Sequence, residues 1–452
     1  MNERKPYKTW SCGAVVIAAI ALTAGCSGKQ AATDPGGDKG VTAEAPAAEP
    51  KPEPVELVFY SEDGSSEETF NAIYGDHLRK KFPHFTIKYI QQKGKGTFLS
   101  DQIASKTHFD FYFHSIGYFL NSALPAGILA DMSDLIKKHN VDLSRFEPAV
   151  IDGFRSDAVG KLYALPIYTN NMITYYNKDL FNKFGVDYPT NGMTWDSFYE
   201  LAKKITRQEG GVQYIGYAPM MQYLFYMNPL SIPSLDKTTL KPTINSNEQW
   251  KLFFQKLVVA PGEIAPDSRE FLPKKAIDVL EGFAKGTQGM AVYVPTLMLS
   301  WQDRLKAVNF DIVSSPTFKE LPGVGSQPYS TYLGITNMAK NKDAAMEALK
   351  YLVSDEVQTT MARQGQLTVL RDAKVREALG KDTAFKNVNW SSVFSNKFAP
   401  VPYRGPYATA VENSYTSYAT AVMLGEMDMN TAFRKAEEDA NKIIQDIKAT
   451  IP

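Results

Sequence analysis

Apolar residues along this chain switch repeatedly between strand-like alternation and helical spacing. Glu56-Leu57-Val58-Phe59-Tyr60 is a short β-rich run that breaks at Ser61-Glu62-Asp63-Gly64. From Glu67 to Lys81 the period becomes helical, with Phe70, Ile73, Tyr74 and Leu78 on one face, and Pro83 stops it. Thr86-Ile87-Lys88-Tyr89-Ile90 alternates as a second strand. A helix is expected near Phe98–Ser105, ahead of the buried-strand pattern Phe109–His114. Strand, helix, strand, helix, strand predicts a parallel sheet with helical crossovers. Ligands of such sheets sit at the carboxyl ends of the strands. Those ends are Tyr60-Ser61-Glu62 and His114-Ser115.

Further on, Lys161–Pro166 leads through Tyr168-Thr169-Asn170-Asn171 into the run Met172–Asn177. Thr194 is placed to cap a helix over Trp195–Lys204, with an acid in its first turn and bases at its end. Aromatic-rich helical and loop segments extend to about residue 285. Gly289–Tyr293, Asp311–Val313 and Ser330–Ile335 read as strands, Lys342–Val353 and Met427–Lys448 as helices. The body is too long for one core, so at least two domains are expected.

The first residues bear on compartment. Arg4, Lys5 and Lys8 precede the apolar run Ala14–Leu22, which ends in Thr23-Ala24-Gly25-Cys26. A basic start, a short apolar run and small residues before a cut make a secretory signal over residues 1–25. The run is too short to span a bilayer comfortably. Cys26 directly after Ala-Gly resembles the bacterial lipoprotein box, in which that Cys becomes the lipidated first residue. Thr23 stands where the box usually has Leu. Residues 26–54 hold many Pro, Gly, Ala and charged residues and no aromatics, so they read as a disordered tether. The expected location is the extracellular face of the cell membrane, held by the lipid on Cys26.

The chain has 49 basic and 49 acidic residues. Removing residues 1–25 takes three basic residues and one acidic, leaving 46 against 48. That balance gives no footprint for nucleic acid or anionic membrane. The other cysteine, Cys12, lies in the segment to be removed, so no Cys pair remains for a metal, and no cofactor is implied. There is no Gly-x-Ser-x-Gly elbow and no His-Glu-x-x-His, so no enzyme signature is visible.

Several segments, in order, resemble the family 1 extracellular solute-binding proteins of bacterial ABC importers. They are Gly160–Pro166 with Tyr176–Phe181 after it, Thr194-Trp195-Asp196-Ser197-Phe198, Gly286 through Met290-Ala291, and Ala344–Ser354 followed by Gly365. Two segments depart from the family pattern. Tyr329-Ser330-Thr331-Tyr332 replaces a Gly-rich approach to a strand, and Gly365-Gln366-Leu367-Thr368 replaces a Gly-x-Pro turn. Both bear on the pocket, so no particular solute is carried over. The resemblance implies an α/β, two-lobed, periplasmic-binding-protein-like fold, each lobe a mixed β-sheet flanked by helices. It implies an N-lobe of 56–167 plus 329–371 and a C-lobe of 168–315 plus 373–452. Residues 316–328 form one hinge crossing, and the others fall near Ile167–Asn170 and Arg371–Asp372.

The implied function is a monomeric, membrane-anchored receptor that closes over a small solute, a mono- or oligosaccharide, and delivers it to ABC permease subunits. A sensing or scavenging lipoprotein and an extracellular carbohydrate-active enzyme are the alternatives. Sugars present an apolar C–H face and a rim of hydroxyls, which flat rings and polar side chains match. With 24 Tyr against five Trp, the candidate platforms are Tyr60, Tyr118, Tyr168, Tyr223, Tyr226, Tyr293, Tyr329, Tyr332 and Tyr407. Glu62 is a candidate acceptor for a ligand hydroxyl, although Asp63-Gly64 also fits a plain turn. His114 ends an apolar strand and is either a cleft residue or a structural imidazole. By position in the resemblance, Tyr60, Glu62, His114, Ser115, Asn170 and Tyr293 are favoured as ligand contacts.

Overall fold

The computed structural model describes residues 53–450, apart from 158–159 and 265. The signal segment, Cys26 and the tether up to residue 52 lie outside the described residues. Ten strands are described: β1 (Val55–Ser61), β2 (Phe85–Gln91), β3 (Phe111–Ser115), β4 (Leu165–Tyr168), β5 (Ile173–Asn177), β6 (Arg207–Glu209), β7 (Val212–Tyr217), β8 (Gln288–Tyr293), β9 (Phe310–Ser314) and β10 (Thr331–Ile335). They form two five-stranded sheets, ordered β2-β1-β3-β10-β4 and β6-β7-β8-β5-β9. In the first, β1 is parallel to β2 and β3, as the strand-helix-strand pattern requires, while β10 is antiparallel to β3 and β4. In the second, β7 and β8 are parallel and the remaining pairs antiparallel. The fold is α/β, with two mixed sheets and flanking helices.

Each sheet has its own core. Phe59 stacks on Phe111 at 4.4 Å in the first, and helices Lys342–Leu352 and Asp355–Arg363 pack there. The second is filled by Trp250, Phe253 and Tyr415, beneath helices Ala408–Met423 and Met429–Thr450. The chain passes between these cores three times. The passing segments are tied side by side: Asn170 and Tyr329 exchange both backbone hydrogen bonds (3.1 and 2.9 Å), and Thr169 N–H donates to the Leu367 carbonyl (2.9 Å).

Local chemistry sets the elements. Ser66 caps the helix at Glu67, and Thr194 and Ser197 cap Trp195–Ile205 reciprocally. The helical stretch Glu67–Lys81 is continuous, as its periodicity predicts, but holds a π-turn at Asn71–Gly75. Several elements go beyond the sequence reading, among them a hairpin and a long helix. β6 and β7 form a hairpin where helix and loop were expected, turning on Gly210 and Gly211, both at positive φ. The long helix is Ala408–Met423; its buried face is interrupted by Glu412, which breaks the apolar pattern.

β7 lies directly on helix Trp195–Ile205. A Cβ on Gly216 would fall 2.0 Å from the Ala202 carbonyl oxygen. Backbone cannot move aside as a flexible side chain can. Gly216→Ala is therefore expected to cost about 1–3 kcal/mol of stability. A lowered urea midpoint with unchanged slope would check it.

Candidate functional site

A cavity of about 460 Å³ opens between the two sheets. On the first-sheet side it is bordered by the loop after β1 (Asp63, Ser65), the following helix (Thr69, Ile73, Tyr74) and strand residues Phe113, Tyr168 and Thr331. Thr296, Leu299 and Ser300, just after β8, border it from the second. Asn170 and Tyr329, on the passing segments, complete the wall. Ser65 in the loop and Thr69 on the helix bring hydroxyls from the first lobe, and Thr296 at a helix N-cap and Ser300 four residues on bring them from the second.

Electrostatically the cavity is close to neutral. Among the described residues lining it, Asp63 is the one carboxylate, and no Lys, Arg or His is present. Burial pushes the Tyr74, Tyr168 and Tyr329 phenols up, so they stay protonated donors. The Tyr74 hydroxyl and Gln366 Oε1 are buried without a hydrogen-bond partner, and both residues border this space. Buried polar atoms are normally paired, so such orphans mark where a ligand's hydrogen-bonding groups fit.

An aromatic chain runs beside the cavity from one lobe to the other. Tyr293 meets Tyr223 edge-on at 4.6 Å, Tyr223 lies 6.4 Å from Tyr226, and Tyr226 is parallel to Tyr329 at 6.1 Å. The Tyr329 hydroxyl is 3.2 Å from Ser115 Oγ, and next to it His114 stacks on Tyr118 at 3.8 Å. Asn170 Oδ1 accepts from the Thr296 hydroxyl at 3.1 Å. Thus Tyr223, Tyr293, Tyr329, Ser115, His114, Tyr118 and Asn170 come together at the lobe junction; only Asn170 and Tyr329 of these border the cavity.

Three proposed contacts are placed elsewhere. Tyr60 is fully buried beside Phe109, its hydroxyl donating to the Thr97 carbonyl at 2.8 Å. Tyr332 faces the first core against Phe154 and donates to the Val150 carbonyl, whereas Thr331 borders the cavity. Neighbouring strand residues point to opposite faces, so only one of the two reaches the cavity. Glu62 does not border the cavity and already accepts three hydrogen bonds: Leu99 N–H donates to Oε1 (3.0 Å), and the Tyr112 and Ser122 hydroxyls to Oε2 (3.2 and 3.0 Å). Of the wider tyrosine set, Tyr168 borders the cavity and Tyr407 is buried in the second core.

His114 is 7% exposed, and its Nδ1 accepts from Ser115 N–H at 2.7 Å. That places the ring proton on Nε2, which lacks a partner at hydrogen-bonding geometry. Burial lowers the imidazole to about 3, with the Glu62 carbonyl opposing more weakly. The unfolded chain, with an ordinary imidazole, therefore takes up a proton that the fold excludes between pH 6.5 and about 3. Stability is expected to fall as pH drops through that window, by about 1.4 kcal/mol per unit from this group. His114→Asn keeps an acceptor for Ser115 N–H and should flatten the slope of melting temperature against pH between 7 and 4.

Tyr74, Thr69, Phe113, Thr296 and Ser300 border the cavity without having been singled out from sequence, whereas Gln366 falls in a segment marked there as bearing on the pocket. The available signal was hydroxyl spacing: Ser65 to Thr69, and Thr296 to Ser300, each four apart immediately after a strand. Tyr74 carried no such signal, since it shares the apolar face of its helix.

A profile of the bacterial extracellular solute-binding proteins matches residues 63–359. The diacetylchitobiose-binding protein of Streptomyces coelicolor is 26% identical over 424 residues, covering 85% of this chain and 89% of that protein. A putative binding protein of Brucella abortus is 26% identical over 263 residues, or 52% of this chain. That match spans 60% of the Brucella protein, less than two thirds of its length. In three dimensions, an ABC substrate-binding protein of Listeria monocytogenes, solved with cycloalternan, superposes with a TM-score of 0.69 at 21% identity, over 87% of this chain and all of that one. Profile, topology and an inter-lobe cavity agree: the chain belongs to the bacterial extracellular solute-binding protein family.

Proposed function

We propose that this protein is the receptor of an ABC importer, capturing a neutral carbohydrate between its lobes and passing it to the permease. The observation that carries this reading is the cavity itself: hydroxyls from both lobes, tyrosine rings, and no cationic side chain among its described lining residues. A phosphorylated or carboxylated solute would lack a counter-charge there, while a sugar's hydroxyls and C–H faces are both matched. The saccharide names attached to the Streptomyces and Listeria relatives point the same way. The three passing segments, paired at Thr169, Asn170, Tyr329 and Leu367, form the hinge of the reading, with lobes on either side. Ligand touching both lobes favours the closed form. No turnover is included: a glycosidase flanks its bond with two carboxylates, and Asp63 is the one carboxylate of the lining. The receptor works as a monomer held on the outer membrane face by a lipid on Cys26.

Titration calorimetry against neutral saccharides, polyols, sn-glycerol 3-phosphate and peptides tests the solute class. Heat with a neutral saccharide, together with compaction in X-ray scattering, supports the reading. Heat with the phosphate ester or a peptide and none with saccharides overturns it. Release from membranes on Cys26→Ser checks the anchor.

A further inference from the structure

A second cavity of about 290 Å³ adjoins the first. The two share Thr69, Ile73, Leu299 and Gln366 in their walls. The second is completed by Glu68 and Ala72 of the same helix and by Met361 and Gln364 at the end of helix Asp355–Arg363. We infer that the solute is a linear oligosaccharide of at least two rings, one ring between the lobes and the next in this side cavity. The inference rests on the carbohydrate reading and adds the length and path of the chain.

The shared residues suit a glycosidic junction. Ile73 and Leu299 present aliphatic carbon from the two lobes, matching a ring's C–H face. Thr69 and Gln366 present polar groups on the same shared wall. Gln366 Oε1 is buried and unpartnered there, an acceptor waiting for a hydroxyl donor. On the main-cavity side, the Tyr74 hydroxyl is the second orphan, on a side chain only 1% exposed. The two orphans therefore lie on the main cavity and on the wall it shares with the second, giving a chain of rings polar anchors along the path. The helix contributes to both cavities through its π-turn at Asn71–Gly75, which lies among residues 72, 73 and 74. Gln366 also falls within the segment where the sequence departs from the family's Gly-x-Pro turn.

The test is calorimetry of the full protein with glucose, mannose and N-acetylglucosamine and with their β-1,4- and α-1,4-linked di- and trisaccharides. In the series that binds, the disaccharide is expected to bind at least about tenfold more tightly than its monosaccharide. Ala72→Trp, at an exposed position that lines the side cavity but not the main one, should remove most of that gain and leave the monosaccharide affinity within about twofold. Glu68→Trp on the same wall is the second variant, should Ala72→Trp fail to fold by circular dichroism. Gln366→Leu should weaken the disaccharide more than the monosaccharide. Equal affinities for both lengths, or a tryptophan variant that shifts both by the same factor or neither, overturns the side-cavity assignment while leaving carbohydrate capture standing. Absence of binding across all saccharides overturns both.

Discussion

Glu412→Ala is expected to lower the free energy of unfolding by about 3–5 kcal/mol. Glu412 and Arg404 form an ion pair with side chains 7% and 5% exposed. Burial pushes the Glu412 carboxyl up, and Arg404 draws it back down, so the carboxylate depends on its partner. Truncation leaves a buried guanidinium facing an emptied site, which costs more than the pair itself contributes. The same Arg404 donates to the Tyr226 carbonyl at 3.2 Å, and the Tyr226 hydroxyl donates to Asn413 at 2.7 Å. Tyr226 in turn lies parallel to Tyr329 on the cavity wall. Loss of stability and loss of solute affinity should therefore appear together. Glu412→Gln, which keeps an acceptor but no charge, should fall between the two. Urea midpoints and calorimetry on all three proteins measure both effects. A Glu412→Ala protein as stable as its parent, binding normally, would show the pair to be idle.

Asp110→Ala is expected to cost about 2–3 kcal/mol, chiefly from the buried Val58 N–H left unsatisfied, with a smaller share from the part-buried Lys340 N–H. The Asp110 carboxylate is fully buried at the start of β3. It accepts from Val58 N–H at 2.8 Å and Lys340 N–H at 3.1 Å, with His108 Nε2 at 3.3 Å. It thus joins β1 to the loop after β10, segments far apart in sequence. Asp110→Asn retains one good acceptor and should lose about half as much. Asp110 does not border the cavity, so solute affinity of the folded fraction should be unchanged. Guanidinium unfolding followed by circular dichroism gives the size, and a shift near zero would refute the bridging role.

A small part of the cavity wall was readable from sequence: Asn170, Tyr329 and Tyr168 border it. β1 ends at Ser61, and the cavity begins two residues later at Asp63; β4 ends at Tyr168, itself a cavity residue. Parity was harder. Tyr332 and Thr331 are equally plausible on paper, yet the pleat turns one to the core and the other to the cavity. Existing hydrogen bonds were harder still. Glu62 stands at a strand end as proposed, but its three hydrogen bonds come from Leu99, Tyr112 and Ser122, and no local pattern announces them. Tyr74 shows the reverse case: a residue that reads as core supplies an unpartnered hydroxyl beside the cavity.

From its residues alone, the chain determined its α/β class, the parallel unit β1-β2-β3, the limits of the few helices it signalled and the type of molecule it is. Those properties follow from hydrophobic periodicity and capping, which act over a few residues and are written locally. Tertiary structure alone decided that β10 lies between β3 and β4, that residues 170, 329 and 367 run side by side, and that Gln366, Ile73 and Leu299 line the same two cavities. Each of these joins segments more than a hundred residues apart, or sets which of two faces is buried. Such choices are made by packing whole elements against one another, so they become visible only when the elements are in place.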